Sequence, residues 1–298
     1  MAETKSIFLT LSGRTNAGKS TLLNALIGEK IASVSSKPQT TRTRITGILT
    51  QGNTQYVFID TPGLHKPKNK LSSYMLKTAE TSATDADAVL YVIDCTKKLH
   101  EQDEIMLENL AKKKISCVII LNKIDLLQDK SAMMPLMLRL ENQYKPYAII
   151  PVSASEQDGL KEILAVAEEL AQPSVHFFPD DKFTDQPERV LVAEIIREKL
   201  LRLLNEEVPH GIAVTIEKLQ ERQDKDLLDI SAVIYCERDS HKGIVIGKKG
   251  SMLKKIASSA RRDLESFFEI QVNLQCFVKV KEDWRNRENL IRSFGLSE

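Results

Sequence analysis

The sequence predicts a doubly wound α/β domain over residues 1–172 and a smaller α+β unit over 188–298. Three observations carry this. Short apolar runs alternate with longer amphipathic stretches as far as residue 172. The segment 173–187, PSVHFFPDDKFTDQP, then breaks the alternation with three prolines and reads as a linker. Beyond it the pattern changes to helix, paired strands, helix and strand.

The apolar runs are SIFLTLS (6–12), YVFID (56–60), AVLYVID (88–94), CVIILN (117–122) and YAIIPVS (147–153). Runs this short, with no polar alternation, suit parallel strands buried on both faces. The stretches 18–28, 101–113 and 158–171 between them read as helices, the last ending at Pro173. After residue 188, VLVAEIIREKLLRLL (190–204) is an amphipathic helix, and 210–219 and 227–236 read as strands. A helix over 251–268, an alternating strand over 270–280 and a polar helix over 284–294 complete the order α–β–β–α–β–α.

The chain of 298 residues is 42% hydrophobic, enough for two ordinary cores. With 42 basic and 41 acidic residues, net charge names no partner, and only local clusters can. Cys95, Cys117, Cys236 and Cys276 are far apart and lie in apolar stretches, which favours reduced thiols over disulfides or zinc. The first residues lack a signal-peptide pattern, and no apolar run approaches the roughly 18 residues of a membrane span. A soluble cytoplasmic monomer is expected, with peripheral contact at the inner face of the cell membrane left open.

Gly13-Arg14-Thr15-Asn16-Ala17-Gly18-Lys19-Ser20 fits GxxxxGK[ST] between an apolar strand and a helix. Glycines let backbone N–H groups wrap a phosphate chain, and the helix N-terminus adds its positive end. Lys19 would supply a point charge to the phosphates, and the Ser20 hydroxyl could hold Mg²⁺. Asp60-Thr61-Pro62-Gly63 follows YVFI, where a Mg²⁺-associated carboxylate and a free Gly63 N–H are needed. Asn122-Lys123-Ile124-Asp125 follows CVIIL. Guanine presents two adjacent donors that one carboxylate can accept and adenine cannot match, so Asp125 is the expected reader. Asn122 should bridge base and loop, the Lys123 stem should cover the base, and the N–H of Ala154, after Ser153, should meet guanine O6.

The order GxxxxGKS, DTPG, NKID, SA resembles the GTPase superfamily. The runs GRTNAGKSTLLNALIG, KPQTTRTRITGI and DTPGLHKPKNKL resemble the Era family within it. The resemblance implies that Gln39-Thr40-Thr41-Arg42-Thr43 is a switch, with Thr41 favoured over Thr40 for closing on Mg²⁺. It also implies that Leu64 stands where Ras-like proteins keep a water-orienting glutamine. Lys19, Thr41, Asp60 and Gly63 are then the catalytic candidates, and Asn16 is a candidate for supporting K⁺. Thr15 and Ala17 depart from the Pro and Val usual in that family.

In the second unit, Gly247-Lys248-Lys249-Gly250 precedes an amphipathic helix and follows an apolar run, Ile244-Val245-Ile246, that reads as strand-like. From Ser240 to Arg262 there are seven basic residues and no Asp or Glu. Such a loop can approach a sugar–phosphate backbone closely while lysines neutralise it. Gly247, Lys248, Lys249, Gly250, Lys254 and Lys255 are the candidate RNA-binding residues. The pattern resembles a type II KH domain, which Era proteins carry. The Era resemblance further implies binding to the 3′ end of 16S ribosomal RNA and a role in small-subunit (30S) assembly. A GTPase paired with RNA modification, as in the TrmE group, and a signalling switch are the rival readings.

Overall fold

The computed structural model describes residues 3–37, 40–63 and 69–296, which fall into two compact units. The first runs to Ala32, resumes at Thr41, and resumes again from Met75 to Asp185. The second holds Ser33–Thr40, residues 69–74, and the chain from Gln186 onward.

The first unit is built from β1 (Lys5–Ser12), α1 (Lys19–Ile27), β2 (Ile45–Gln51), β3 (Thr54–Asp60), the part of α2 (Lys70–Asp85) from Met75 onward, β4 (Ala88–Asp94) and α3 (Glu101–Lys112). It continues with β5 (Ser116–Asn122), α4 (Met134–Tyr144), β6 (Ala148–Val152), α5 (Leu160–Leu170) and the short β7 (Gln172–Pro173). The sheet order is β2-β3-β1-β4-β5-β6, parallel except for the edge strand β2. Every residue of β3 is buried, which is why its sequence shows no polar alternation. Val89, Tyr91, Ile119 and Leu121 pack with Leu107, Leu110 and Leu140 of α3 and α4. The strand β2 was not among the predicted elements. Its signal was the Gly52-Asn53 pair, which joins it to β3 as a hairpin.

The expected linker 173–187 is ordered against the first unit through most of its length. β7 pairs antiparallel with the start of β1, which β4 leaves open because it pairs only from Leu9. Phe177 packs edge-on against Phe8 at 5.1 Å. Gln55 Oε1 accepts from the N–H groups of Phe177 and Phe178, and Thr184 Oγ1 donates to the Thr46 carbonyl at 2.6 Å.

The second unit comprises α6 (Glu188–Leu203), β8 (Ala213–Glu221), β9 (Leu227–Cys236), α7 (Asp239–Ile246), α8 (Ser251–Phe268), β10 (Gln271–Val280) and α9 (Glu288–Ser293). Its sheet runs β10-β9-β8, with β10 parallel and β8 antiparallel to β9. Val192, Ile196 and Leu200 of α6 meet Ile230, Ala232 and Ile234 of β9 and Ile256, Ala260 and Leu264 of α8 in one core.

The strand-like reading of Ile244-Val245-Ile246 is corrected: these residues end α7. Only Val245 of the helix is buried, and Ile244 is 50% exposed, so the run is not a core strand. The Gly247 N–H closes the helix on the Gly243 carbonyl at 2.8 Å. The element order is therefore α–β–β–α–α–β–α.

No helix among the described residues is long and apolar enough to cross a membrane. All four cysteines are free, Cys117 and Cys236 buried and the other two partly so. Burial pushes the Cys117 thiol up to about 12.

Candidate functional site

The phosphate loop lies between β1 and α1, at the C-terminal edge of the parallel strands. Gly18 has φ +102, and a Cβ there would stand 2.1 Å from Asn122 Nδ2. Only glycine fits this approach between the phosphate loop and the loop after β5. Lys19 is buried, and its Nζ donates to the carbonyls of Gly13 at 3.0 Å and Arg14 at 3.1 Å. Burial lowers its pKa, and the charges of Asp60 and Asp103 oppose that.

Ser20, Thr41 and Asp60 converge. Ser20 Oγ donates to Asp60 Oδ2 at 2.6 Å and lies 2.8 Å from Thr41 Oγ1. Thr41 Oγ1 donates to the same carboxylate oxygen at 3.1 Å. Burial pushes the Asp60 carboxyl up, while Lys19 and the two hydroxyls pull it down. Its second oxygen, Oδ1, is buried with no hydrogen-bond partner. A fully buried carboxylate with an orphaned oxygen beside two hydroxyls is a hard-oxygen set that fits Mg²⁺. Thr61 Oγ1 anchors the turn by donating to the Leu11 carbonyl at 2.9 Å. Pro62 and Gly63 follow, both buried. Leu64 and Gln39 lie outside the described residues.

Asn122 joins three loops. Its Nδ2 donates to the Ala17 carbonyl at 2.9 Å, and its Oδ1 accepts from the N–H groups of Lys123 at 2.8 Å and Ala154 at 3.1 Å. The Ala154 N–H, expected on guanine O6, thus has Asn122 as its partner here. Lys123, at φ +72, donates from Nζ to the Asn16 carbonyl at 2.8 Å and to Asp94 Oδ2 at 2.7 Å. Ile124 is buried below, and Asp125 is exposed above it with Oδ1 accepting from Ser153 Oγ at 2.6 Å. Thr15 is half-buried and Ala17 buried in the phosphate loop, and Asn16 sits there at φ +64.

The second candidate surface is the turn between α7 and α8. Gly247 has φ +72 and ψ 174, and a Cβ would meet Met252 Cβ at 2.7 Å. Lys249 and Gly250 also have positive φ, so the turn is tightly wound and presents Lys248 and Lys249 to solvent. Lys254 and Lys255 are exposed on α8, whose opposite side buries Ile256, Ala260 and Leu264.

Comparison with known proteins bears on both surfaces. Residues 8–123 match the family model described as 50S ribosome-binding GTPase, and residues 207–285 match the KH domain model. GTPase Era of Clostridioides difficile is 47% identical over 99% of this chain and 99% of its own length. The chain belongs to the Era family of GTPases. GTPase Era of Alkaliphilus metalliredigens is 45% identical over 98% of each chain. Two Era crystal structures superpose with TM-scores of 0.95, each covering 99% of this chain and all of theirs. One is an Aquifex aeolicus variant bound to GDP·AlF4− at 35% identity. The other, at 36%, is a complex with MgGDPNP and nucleotides 1506–1542 of 16S ribosomal RNA.

Sequence reasoning about this Era-family chain missed Asp94. Burial alone would raise its carboxyl, but hydrogen bonds from Lys123 and Thr96 outweigh it and hold it below the usual range. Its signal was the one used for Asp60: an aspartate closing a buried apolar strand.

Proposed function

We propose that this GTPase is a GTP-switched RNA-binding protein that acts in small ribosomal subunit assembly in the cytoplasm by binding the 3′ end of 16S rRNA. Residues 1–172 form its GTPase domain and 188–298 its KH domain. The observation that carries the reading is the pairing, in one chain, of the Ser20–Thr41–Asp60 cluster with the solvent-facing Gly247–Gly250 turn. Similarity at full length to an Era bound to 16S rRNA supports the RNA assignment.

Ser20, Thr41 and Asp60 hold Mg²⁺, which supplies positive charge against the β- and γ-phosphates. Gly13 to Ser20 wrap the phosphates, and Lys19 and the Gly63 N–H stabilise the charge that develops on the γ-phosphoryl group. Thr61 and Pro62 border that group. Asn122, Lys123, Ile124, Asp125, Ser153 and Ala154 form the guanine pocket. Asp125 accepts from the base, Lys123 covers it, and Asn122 fixes the pocket on the phosphate loop.

Leu64 cannot orient a water, so hydrolysis is slow. Asn16 would support a K⁺ ion, which would add charge near the phosphates; equal kcat in K⁺ and Na⁺ buffers removes that part.

The loop lysines Lys248 and Lys249 and the helix lysines Lys254 and Lys255 neutralise the RNA backbone, and Gly247 and Gly250 permit its close approach. The deciding experiment is filter binding of a 16S 3′-end oligoribonucleotide with a GTP analogue, GDP or no nucleotide at fixed salt. Substituting Lys248 and Lys249 by Asp should abolish RNA binding and spare GTP affinity. Unchanged RNA affinity points to a signalling switch instead. Sedimentation of the purified protein, alone and with anionic vesicles, checks the expected monomer and any peripheral membrane contact.

A further inference from the structure

We infer that Asp94, the last residue of β4, is a positioning residue for the guanine base. Its carboxylate fixes the Lys123 ammonium beside the Asn16 carbonyl, and so sets the route of the Lys123 stem before any nucleotide arrives. This role deepens the guanine-pocket reading and rests on Lys123 as the cover of the base.

Sheet register brings the pair together. Asp94 and Asn122 are partners at the ends of β4 and β5, and the Cys95 N–H donates to the Asn122 carbonyl at 3.0 Å. Lys123, one residue on, therefore starts beside Asp94. The Asp94 side chain is 10% exposed, and its two oxygens have separate tasks. Oδ1 accepts from Thr96 Oγ1 at 2.6 Å and from the Thr96 N–H at 3.2 Å. That local turn holds the carboxylate in place. Oδ2 accepts from Lys123 Nζ at 2.7 Å. Lys97 Nζ also lies 3.2 Å from Oδ2, but its side chain is 64% exposed and water screens it.

Lys123 is fixed at both ends. Its backbone has φ +72, a region that lysine rarely adopts, and its Nζ donates to the Asn16 carbonyl at 2.8 Å as well as to Asp94. A free lysine stem samples many rotamers. With backbone and tip both held, the stem is confined to the path between them and offers its methylene groups as an apolar strip. A base then meets a cover already in place, and the cost of ordering it does not fall on binding. The pair is partly exposed, with the Lys123 side chain at 27%, and such pairs contribute little to stability. The contribution of Asp94 is therefore geometric.

The test uses the full chain and four variants: Asp94→Ala, Asp94→Asn, Lys123→Met, and Asp94→Ala combined with Lys123→Met. Titration calorimetry in Mg²⁺ buffer reads affinity for GDP and for a non-hydrolysable GTP analogue, and thermal unfolding is followed without nucleotide. Asp94→Ala should weaken both nucleotides alike, about tenfold, the scale of one charge-assisted hydrogen bond, because both carry the same base. Asp94→Asn, which keeps an acceptor for Lys123, should recover part of the loss. The double variant should match Lys123→Met alone, because Asp94 acts through Lys123. A loss confined to the GTP analogue would place Asp94 on the phosphate side and overturn the role. So would a lowered unfolding midpoint with unchanged affinity. If Lys123→Met weakens binding and Asp94→Ala does not, the role of Asp94 alone falls. If Lys123→Met leaves affinity within about twofold, Lys123 is no cover for the base and the role of Asp94 falls with it. Should Asp94→Ala prove unfolded, Asp94→Asn carries the same comparison against wild type.

Discussion

Replacing Asn122 by Ala should cost nucleotide affinity far more than a surface change, although its place is to hold the pocket together. Asn122 is 2% exposed and makes three hydrogen bonds, to the Ala17 carbonyl and to the N–H groups of Lys123 and Ala154. Each such bond contributes roughly 0.5–1.5 kcal/mol net, so losing all three costs about 1.5–4.5 kcal/mol. At about 1.4 kcal/mol per decade, that is roughly 10- to 1,500-fold in affinity if it falls wholly on the bound state. Titration calorimetry with GDP measures it, and thermal unfolding of the nucleotide-free protein shows how much falls on the fold instead. GDP affinity within threefold of wild type, with an unchanged unfolding midpoint, would refute the view that Asn122 ties the three loops.

Three further outcomes are expected. Gly247→Ala forces a Cβ into Met252 at a φ that L-residues rarely adopt, and should destabilise the second unit by about 1–3 kcal/mol or more. Trp284 is the single tryptophan of the chain, so its fluorescence during urea unfolding reports that unit directly, and an unmoved midpoint contradicts the strain argument. Trp284→Ala removes a fully buried ring that packs edge-on to Phe294 at 5.4 Å and donates to the Gly211 carbonyl at 2.9 Å. It should cost about 3–5 kcal/mol, read by circular dichroism, and a loss under 1 kcal/mol would exclude it as a core anchor. Arg222, with Asn273 and Lys218, holds the Asp229 carboxyl well below the usual carboxylate range. The unfolded state then binds the proton first, so this contribution is present above about pH 4 and is lost as pH falls below it. Asp229→Asn should flatten the acid limb of the stability curve, and an unchanged limb argues against the pairing.

The clustering of the candidate nucleotide-site residues was legible because they answer to backbone demands that recur at fixed spacing. Gly18 must admit Asn122, Asp60 must close a buried strand, and Lys19 must follow a turn. The helix α7 was not legible. Its end, Ile244-Val245-Ile246, is β-branched and apolar, and composition alone does not tell a one-sided eight-residue helix from a strand. Segment 173–185 has the composition of a linker but is held by partners distant in sequence, Gln55 and Phe8. The burial of Arg197 was hidden for the same reason. Within an amphipathic stretch a charged residue reads as solvated, yet Arg197 is 3% exposed, paired with Glu194 on its own helix and with the Thr40 carbonyl about 160 residues earlier.

The pairing of β7 with β1 determines where a stand-alone GTPase fragment should end. A cut after residue 172 would leave the start of β1 only Gln172 of its antiparallel neighbour and bare Phe8, inviting edge-to-edge association of fragments. Ending at Asp185 keeps Phe177 on Phe8, Gln55 in its backbone clasp and Thr184 on the β2 edge. Such a fragment, longer by the stretch that reads as dispensable, should be the one that stays monodisperse at high concentration.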